Sequence, residues 1–214
     1  MSKNVLVIAP HGDDEVLGVG GTIQRHIKSG DVVTVCFIKG FENKRQRIQL
    51  QNTRKVQSIL NYEHIVHLNR VCNIDHSTTG LVTQIDSIIT KYTPEIIYCP
   101  GYGDMHQDHR IISHACGSSV RLGNNFKVNK VLLYEIPSST DQGFAKFESP
   151  FIPNYYVSLN KQQIKQKCNC MNMYTLEQGS LRSNDAIIDL AKKRGRECSR
   201  EYAEAFVCMR YIHD

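Results

Sequence analysis

The sequence predicts an α/β domain built on a mainly parallel sheet with helices on both faces. Three observations point there. Apolar runs of strand length alternate with helix-length segments from the N-terminus to Glu135. The run Val32–Ile38 (VVTVCFI) is dominated by β-branched residues, which favour strands. Leu81, Ile85, Ile88 and Ile89 recur at i, i+4, i+7 and i+8, the apolar stripe of a helix. Strands that alternate with helices make βαβ units, and these build a parallel sheet covered on both sides.

In chain order, Val5–Ala9 reads as a buried strand and Glu15–Lys28 as a helix with Leu17, Ile23 and Ile27 on its apolar side. Val32–Ile38 is the second strand, Lys44–Leu60 a polar-rich helix, Ile65–Leu68 a short strand and Leu81–Tyr92 a helix. Glu95–Cys99 is a strand, Asp108–Val120 a helix and Lys130–Glu135 a strand. After Ile136 the rhythm breaks. The stretch PSSTDQGFAKFESPFIPN is rich in Pro, Ser, Gly and Asn and reads as a long surface loop, which covers or shapes a pocket. Tyr155–Leu159 reads as an edge strand and Asn160–Glu177 as a helix capped by Asn160. Asp185–Arg194 is another helix and Ala205–Ile212 a terminal strand. With 214 residues the chain supports one domain, 1–214.

The hydrophobic share of 41% and charged share of 22% are those of an ordinary globular domain. No apolar run approaches the roughly 20 residues of a transmembrane helix. The opening MSKNVLVIAP lacks the longer apolar core and small-residue cleavage site of a secretory signal, so a cytoplasmic protein is expected. The eight cysteines include no CxxC pair and read as reduced thiols. Cys36, Cys99 and Cys208 lie in apolar runs, and Cys168-Asn169-Cys170 is a spacing that a soft metal can use. The net charge of +5 gathers in Lys44, Arg45, Arg47, Arg54 and Lys55, and again in Lys192, Lys193, Arg194, Arg196 and Arg200. Both clusters read as solvated helix faces; the alternative is attraction of an anionic substrate such as a nucleotide sugar or lipid phosphate. No basic motif interleaved with aromatics appears, so a small-molecule partner is expected and nucleic acid is not. The oligomeric state is not legible.

Two polar clusters carry the chemistry. His11-Gly12-Asp13-Asp14-Glu15 and His106-Gln107-Asp108-His109 each follow a strand and open a helix. In an open parallel sheet that rim is where ligands bind. His11 and Asp14, at i, i+3, can converge on one cation, and His109 completes a His₂Asp set. Such a set suits Zn²⁺ with a position left for water, and Fe²⁺ accepts a similar one. A cation there acidifies water, and Asp13, beside Asp14 but pointing elsewhere, is the natural general base. His106 can stabilise an oxyanion or protonate a leaving amine, and Asp108 can orient a histidine. The aspartates also suit helix N-caps. Gly18, Gly20 and Gly21 let the first helix pack close to the sheet; their order is wrong for a phosphate-binding GxGxxG. Glu135 ends a strand on the same rim, where it either touches substrate or is solvated.

These residues resemble a known family. PHGDDE (Pro10–Glu15) resembles the (A/P)H(P/A)DDE motif of the LmbE-like, or PIG-L, deacetylases. HQDH (His106–His109) resembles the family's HxDH, and KKRGRECSREYAEAF (Lys192–Phe206) its C-terminal RG…YAEAF segment. The resemblance implies a Rossmann-like three-layer fold and zinc-dependent hydrolysis of N-acetyl groups. It implies substrates carrying N-acetylglucosamine on lipids, thiols, antibiotics or polysaccharide precursors. Carried onto this chain, it implies His11, Asp14 and His109 as zinc ligands and Asp13 as base. It further implies that His106 serves the tetrahedral intermediate and that Asp108 supports it. The chain departs from the family at Gly12, where proline or alanine is usual, and at Gln51 and Asn52, near an expected glutamate. Asp104 stands where some relatives carry a mobile tyrosine; Tyr102 is further away. Two other readings fit the same residues: a metal-dependent esterase or phosphatase, and a non-catalytic sugar-binding module.

Overall fold

The structure, a computed structural model, describes residues 2–39, 44–70, 78–124, 126–141, 150–177 and 179–213. Five strands run parallel: β1 (Asn4–Ala9), β2 (Val32–Lys39), β3 (His64–Arg70), β4 (Ile96–Pro100) and β5 (Lys130–Tyr134). Helices α1 (Asp14–Lys28), α2 (Lys44–Leu60), α3 (Thr78–Tyr92) and α4 (Gln107–Ser119) alternate with them. Then follow β6 (Tyr155–Leu159), α5 (Lys161–Met171), α6 (Asn184–Glu197) and β7 (Tyr202–Tyr211). The sheet order is β3-β2-β1-β4-β5-β7-β6. Successive side chains of a strand point to opposite faces. Val5, Val7 and Ala9 therefore join the core under α1, α2, α5 and α6, whereas Leu6 and Ile8 join the core under α3 and α4. This is the expected three-layer, Rossmann-like arrangement.

The glycines of α1 set how close that helix lies. A Cβ at Gly18 would stand 2.3 Å from Tyr134 Cδ2, and one at Gly21 2.3 Å from Leu159 Cδ1. Tyr134 is fully buried there and its hydroxyl donates to the Ile8 carbonyl at 2.8 Å.

The C-terminal third departs from expectation. The terminal strand begins at Tyr202, three residues ahead of the expected Ala205, and β7 inserts antiparallel between β5 and β6, pairing Leu133 with Val207 and Val157 with Glu204. Asn160 does cap α5, in a reciprocal box with Gln163. The helix stops at Met171, short of Glu177, because the chain turns and buries Tyr174 against α1. Of the expected loop, 142–149 lies outside the described residues, as do Cys72 and the side chain of Arg45. Cys168 and Cys170, two positions apart on α5, do not share a face and are packed in the core. Among the described residues no helix is long and apolar enough to cross a membrane.

One buried ion pair ties three elements together. Lys167 of α5 donates to Glu204 of β7 at 2.6 Å and to the Leu17 carbonyl of α1 at 2.8 Å. Glu204 also accepts from the backbone of Gly21 and Thr22 and from the Thr22 hydroxyl. Glu204→Ala strands the Lys167 ammonium in the core, at a cost of about 3–5 kcal/mol. Thermal unfolding of this variant is expected to show Tm lower by roughly 10 °C. A shift within a degree of the parent would show that the pair adds nothing.

Candidate metal centre

β1 and β4 are neighbours in the sheet, yet the chain leaves β1 toward β2 on one flank and returns at β4 on the other. At such a switch point the connections part and leave a crevice beyond the strand ends. His11, Asp13 and Asp14 follow β1; Asp104, His106, Asp108 and His109 follow β4. The crevice brings the clusters together: His11 Nε2 and Asp108 Oδ2, 97 positions apart in the chain, are 2.9 Å apart in space.

His11 Nδ1 lies 3.2 Å from Asp14 Oδ2, His109 Nε2 lies 3.2 Å from the same oxygen, and the two nitrogens are 3.4 Å apart. The three atoms form a nearly equilateral triangle. Ligands at about 2.1 Å around a tetrahedral zinc are about 3.4 Å from one another. The donor set thus fits one cation of that size. A second trio, His11, His106 and Asp108, also converges within 4.8 Å. There, however, the Lys39 ammonium donates to Asp108 at 3.2 Å, which sets a positive charge against a cation.

A carboxylate stands behind each imidazole of the first trio. Asp108 holds His11 Nε2, and Asp104 Oδ2 is 3.1 Å from His109 Nδ1. The latter is a buried charge pair. Such outer carboxylates fix ring orientation and basicity. Asp104 is itself buried and accepts from Ser139 Oγ at 2.8 Å, Thr140 Oγ1 at 2.6 Å and the His106 N–H at 2.7 Å. The start of the long loop therefore braces the centre.

Burial disfavours the charged form of His11, but hydrogen bonds to Asp108 and Asp14 outweigh it and raise its pKa to about 9. Burial at His109 is outweighed by Asp14 and Asp104, which raise it to about 10. Burial pushes Asp14 up, and the charges and hydrogen bonds of His109 and His11 more than reverse this, holding it well below the usual carboxylate range. Protons on these imidazoles occupy the lone pairs a cation needs.

Asp13 behaves differently. Its φ of 123° is in a region that side chains other than glycine's rarely adopt. It precedes α1 without capping it through its side chain. Its N–H donates to Glu15 Oε2 at 3.0 Å, and its carbonyl accepts from Val16 and Leu17. Its Oδ2 accepts from Arg182 at 2.8 Å. Burial and the Asp14 charge push its pKa well above normal, and Arg182 and His11 offset only part of this. Glu15 is fully buried, accepts the Tyr174 hydroxyl, and is raised to about 7 by burial.

His106 caps α4: its Nδ1 accepts from the Asp108 N–H at 3.2 Å. Its ring stacks on His109 and meets His11 edge-on. Burial and the neighbouring imidazole charges lower its pKa. A neutral ring whose Nδ1 accepts carries its proton on Nε2. Glu135, just past β5, is buried, and both its oxygens accept from Arg194 at 2.6 Å. Arg194 is thereby drawn off the solvated face expected for it. The pair edges a cavity of about 500 Å³ whose wall includes Thr140, Phe151 and Leu181.

No motif marks the partners Lys39, Tyr174 and Arg182, or the bracing role of Asp104. Asp104 lies two positions from His106 and was readable as part of its cluster. Arg182, in the stretch SLRSND, belongs to no motif. Tyr102 packs against His114 and Gly117 of α4.

Fold and site together define an open α/β protein with a His/Asp cluster, suited to a metal ion, at its switch point. The family model PIG-L, GlcNAc-PI de-N-acetylase, matches residues 6–119, which include both clusters, and the chain belongs to that family. Solved structures of similar fold include the N,N'-diacetylchitobiose deacetylase of Pyrococcus horikoshii, 20% identical, with a TM-score of 0.78 over 98% of this chain and 84% of that one. The zinc-inhibited form of teicoplanin deacetylase Orf2 is 17% identical, with a TM-score of 0.77 over 98% and 99%. GalB, the 4-carboxy-2-hydroxymuconate hydratase of Pseudomonas putida KT2440, is 14% identical, with a TM-score of 0.78 over 99% of each chain. At these identities the likeness is one of fold, and the fold serves more than one chemistry.

Proposed function

We propose that this chain is a metal-dependent hydrolase that removes the N-acetyl group from an N-acetylated amino sugar, N-acetylglucosamine-like, carried on a glycan, nucleotide or lipid precursor. The observation that carries the reading is the triangle of His11, Asp14 and His109 beside the unligated Asp13, in a member of a de-N-acetylase family. The ion is Zn²⁺, with Fe²⁺ as the alternative the same donors accept. When bound, such an ion supplies Lewis acidity toward the acyl oxygen and lowers the pKa of water.

The chain's own residues do the rest. Asp13 takes the proton of the attacking water. His106 presents Nε2–H to the acyl oxygen as charge gathers on it, and serves collapse to amine and acetate. Asp108 holds the His11 ring, leaving Nδ1 to face Asp14 and His109. Glu135, locked to Arg194, gives a polar edge to the cavity that takes the rest of the sugar. The reaction is placed in the cytoplasm, where thiols such as Cys36 and Cys99 stay reduced.

The test is to strip the protein with chelator, restore one equivalent of zinc or iron, and offer free and nucleotide-linked N-acetyl sugars. One equivalent is used because Orf2 has a zinc-inhibited form. The expected result is acetate and free amine in equal amounts, only after metal is restored. Sugar binding without acetate, or release of phosphate instead, would contradict the reading.

A further inference from the structure

We infer that Arg182 is a positioning residue that decides which carboxylate oxygen of Asp13 acts as base; this rests on the role proposed above for Asp13. Arg182 closes a short 3₁₀ turn, Ser180–Arg182, between α5 and α6, outside the segment that matches the family model. Its Nη1 donates to Asp13 Oδ2 at 2.8 Å and also reaches Glu177 Oε2 at 3.3 Å. Its Nε donates to Ser138 Oγ at 2.9 Å. Glu177 in turn accepts from Gln49 of α2 at 2.7 Å. The guanidinium is thus gripped from two further segments before it touches Asp13, and its planar fork transmits that orientation.

The consequence lies at the other oxygen. Among the described residues no hydrogen bond engages Asp13 Oδ1. With Oδ2 held, the plane of the carboxylate is set and Oδ1 is left with open lone pairs. An untethered carboxylate would present either oxygen in changing planes, and proton transfer depends on a fixed approach. The backbone of Asp13 is strained and needs support from its surroundings. Glu15, in the first turn of α1, supplies this at the N–H, while Arg182 supplies it at the side chain from 169 positions further along the chain. One observation separates this role from ordinary stabilisation: among the described residues Arg182 makes no hydrogen bond or ion pair with His11, Asp14 or His109, so its loss should spare metal binding.

The experiment uses the full, metal-loaded chain with the N-acetyl sugar that the parent turns over best. Arg182→Ala is expected to lower kcat by about 10- to 100-fold, the range for loss of an outer-shell partner, with KM within about threefold and metal content unchanged. Added guanidinium is expected to restore part of that kcat in Arg182→Ala and to leave the parent unaffected. In an Asp13→Asn background the same substitution is expected to change the residual rate little. A parental kcat, a rise in KM alone, or an equal loss in both backgrounds would overturn the role. Should Arg182→Ala fold poorly, Arg182→Lys is read in its place, with a lowered kcat at parental KM expected and parental kcat contradicting. Absence of acetate with the parent itself would overturn the deacetylase reading, and this role with it; parental turnover by a folded Arg182→Ala would overturn only this role.

Discussion

Asp13→Asn is expected to keep its metal and lose turnover by about 10²- to 10⁴-fold, the range general-base catalysis supplies. The substitution is nearly isosteric, and its amide oxygen can still accept from Arg182. It removes no member of the His11, Asp14 and His109 triangle. It does remove a buried carboxylate that faces Arg182. The measurement is kcat by acetate release, with metal content by mass spectrometry on the same preparation. Parental turnover at full metal content would show that the base lies elsewhere.

His11→Ala and His109→Ala are expected to lose metal and activity together. Each deletes one corner of the donor triangle, and two ligands from one side do not hold a cation against water. The loss should exceed the roughly 10- to 100-fold in affinity that removal of an outer carboxylate costs. Asp104→Asn and Asp108→Asn, which disturb only the groups behind the rings, therefore give a graded control. His106→Ala should keep metal while losing turnover, since its Nδ1 is spent on capping α4. Metal titration of the stripped variants, read beside acetate release, separates these outcomes. Parental affinity in His109→Ala would remove that residue from the ligand set.

The parallel half of the fold was legible because strands buried on both faces write unbroken apolar runs. Val5–Ala9 and Val32–Ile38 need no partner to be recognised. The place of β7 was not legible. Its alternation fits a strand anywhere, and only contact with β5 and β6 makes it antiparallel and internal. The end of α5 was lost for a like reason, since the run Asn172–Glu177 (NMYTLE) reads as more helix until Tyr174 finds Glu15. At the site, what the chain keeps local could be read: His11, Asp13 and Asp14 in one turn, His106 to His109 in another. What tertiary packing adds could not. Arg182 reaches Asp13 across 169 positions, and Arg194 reaches Glu135 across 59, each from a stretch that reads as an ordinary polar surface.

The most direct test of the centre is an anomalous difference map at the zinc edge, from crystals grown with one equivalent of zinc. A single strong peak bonded by His11 Nδ1, Asp14 Oδ2 and His109 Nε2 is expected, with Asp13 still on Arg182 beside it. A crevice without a peak, or a peak held by His11, His106 and Asp108 instead, would contradict it.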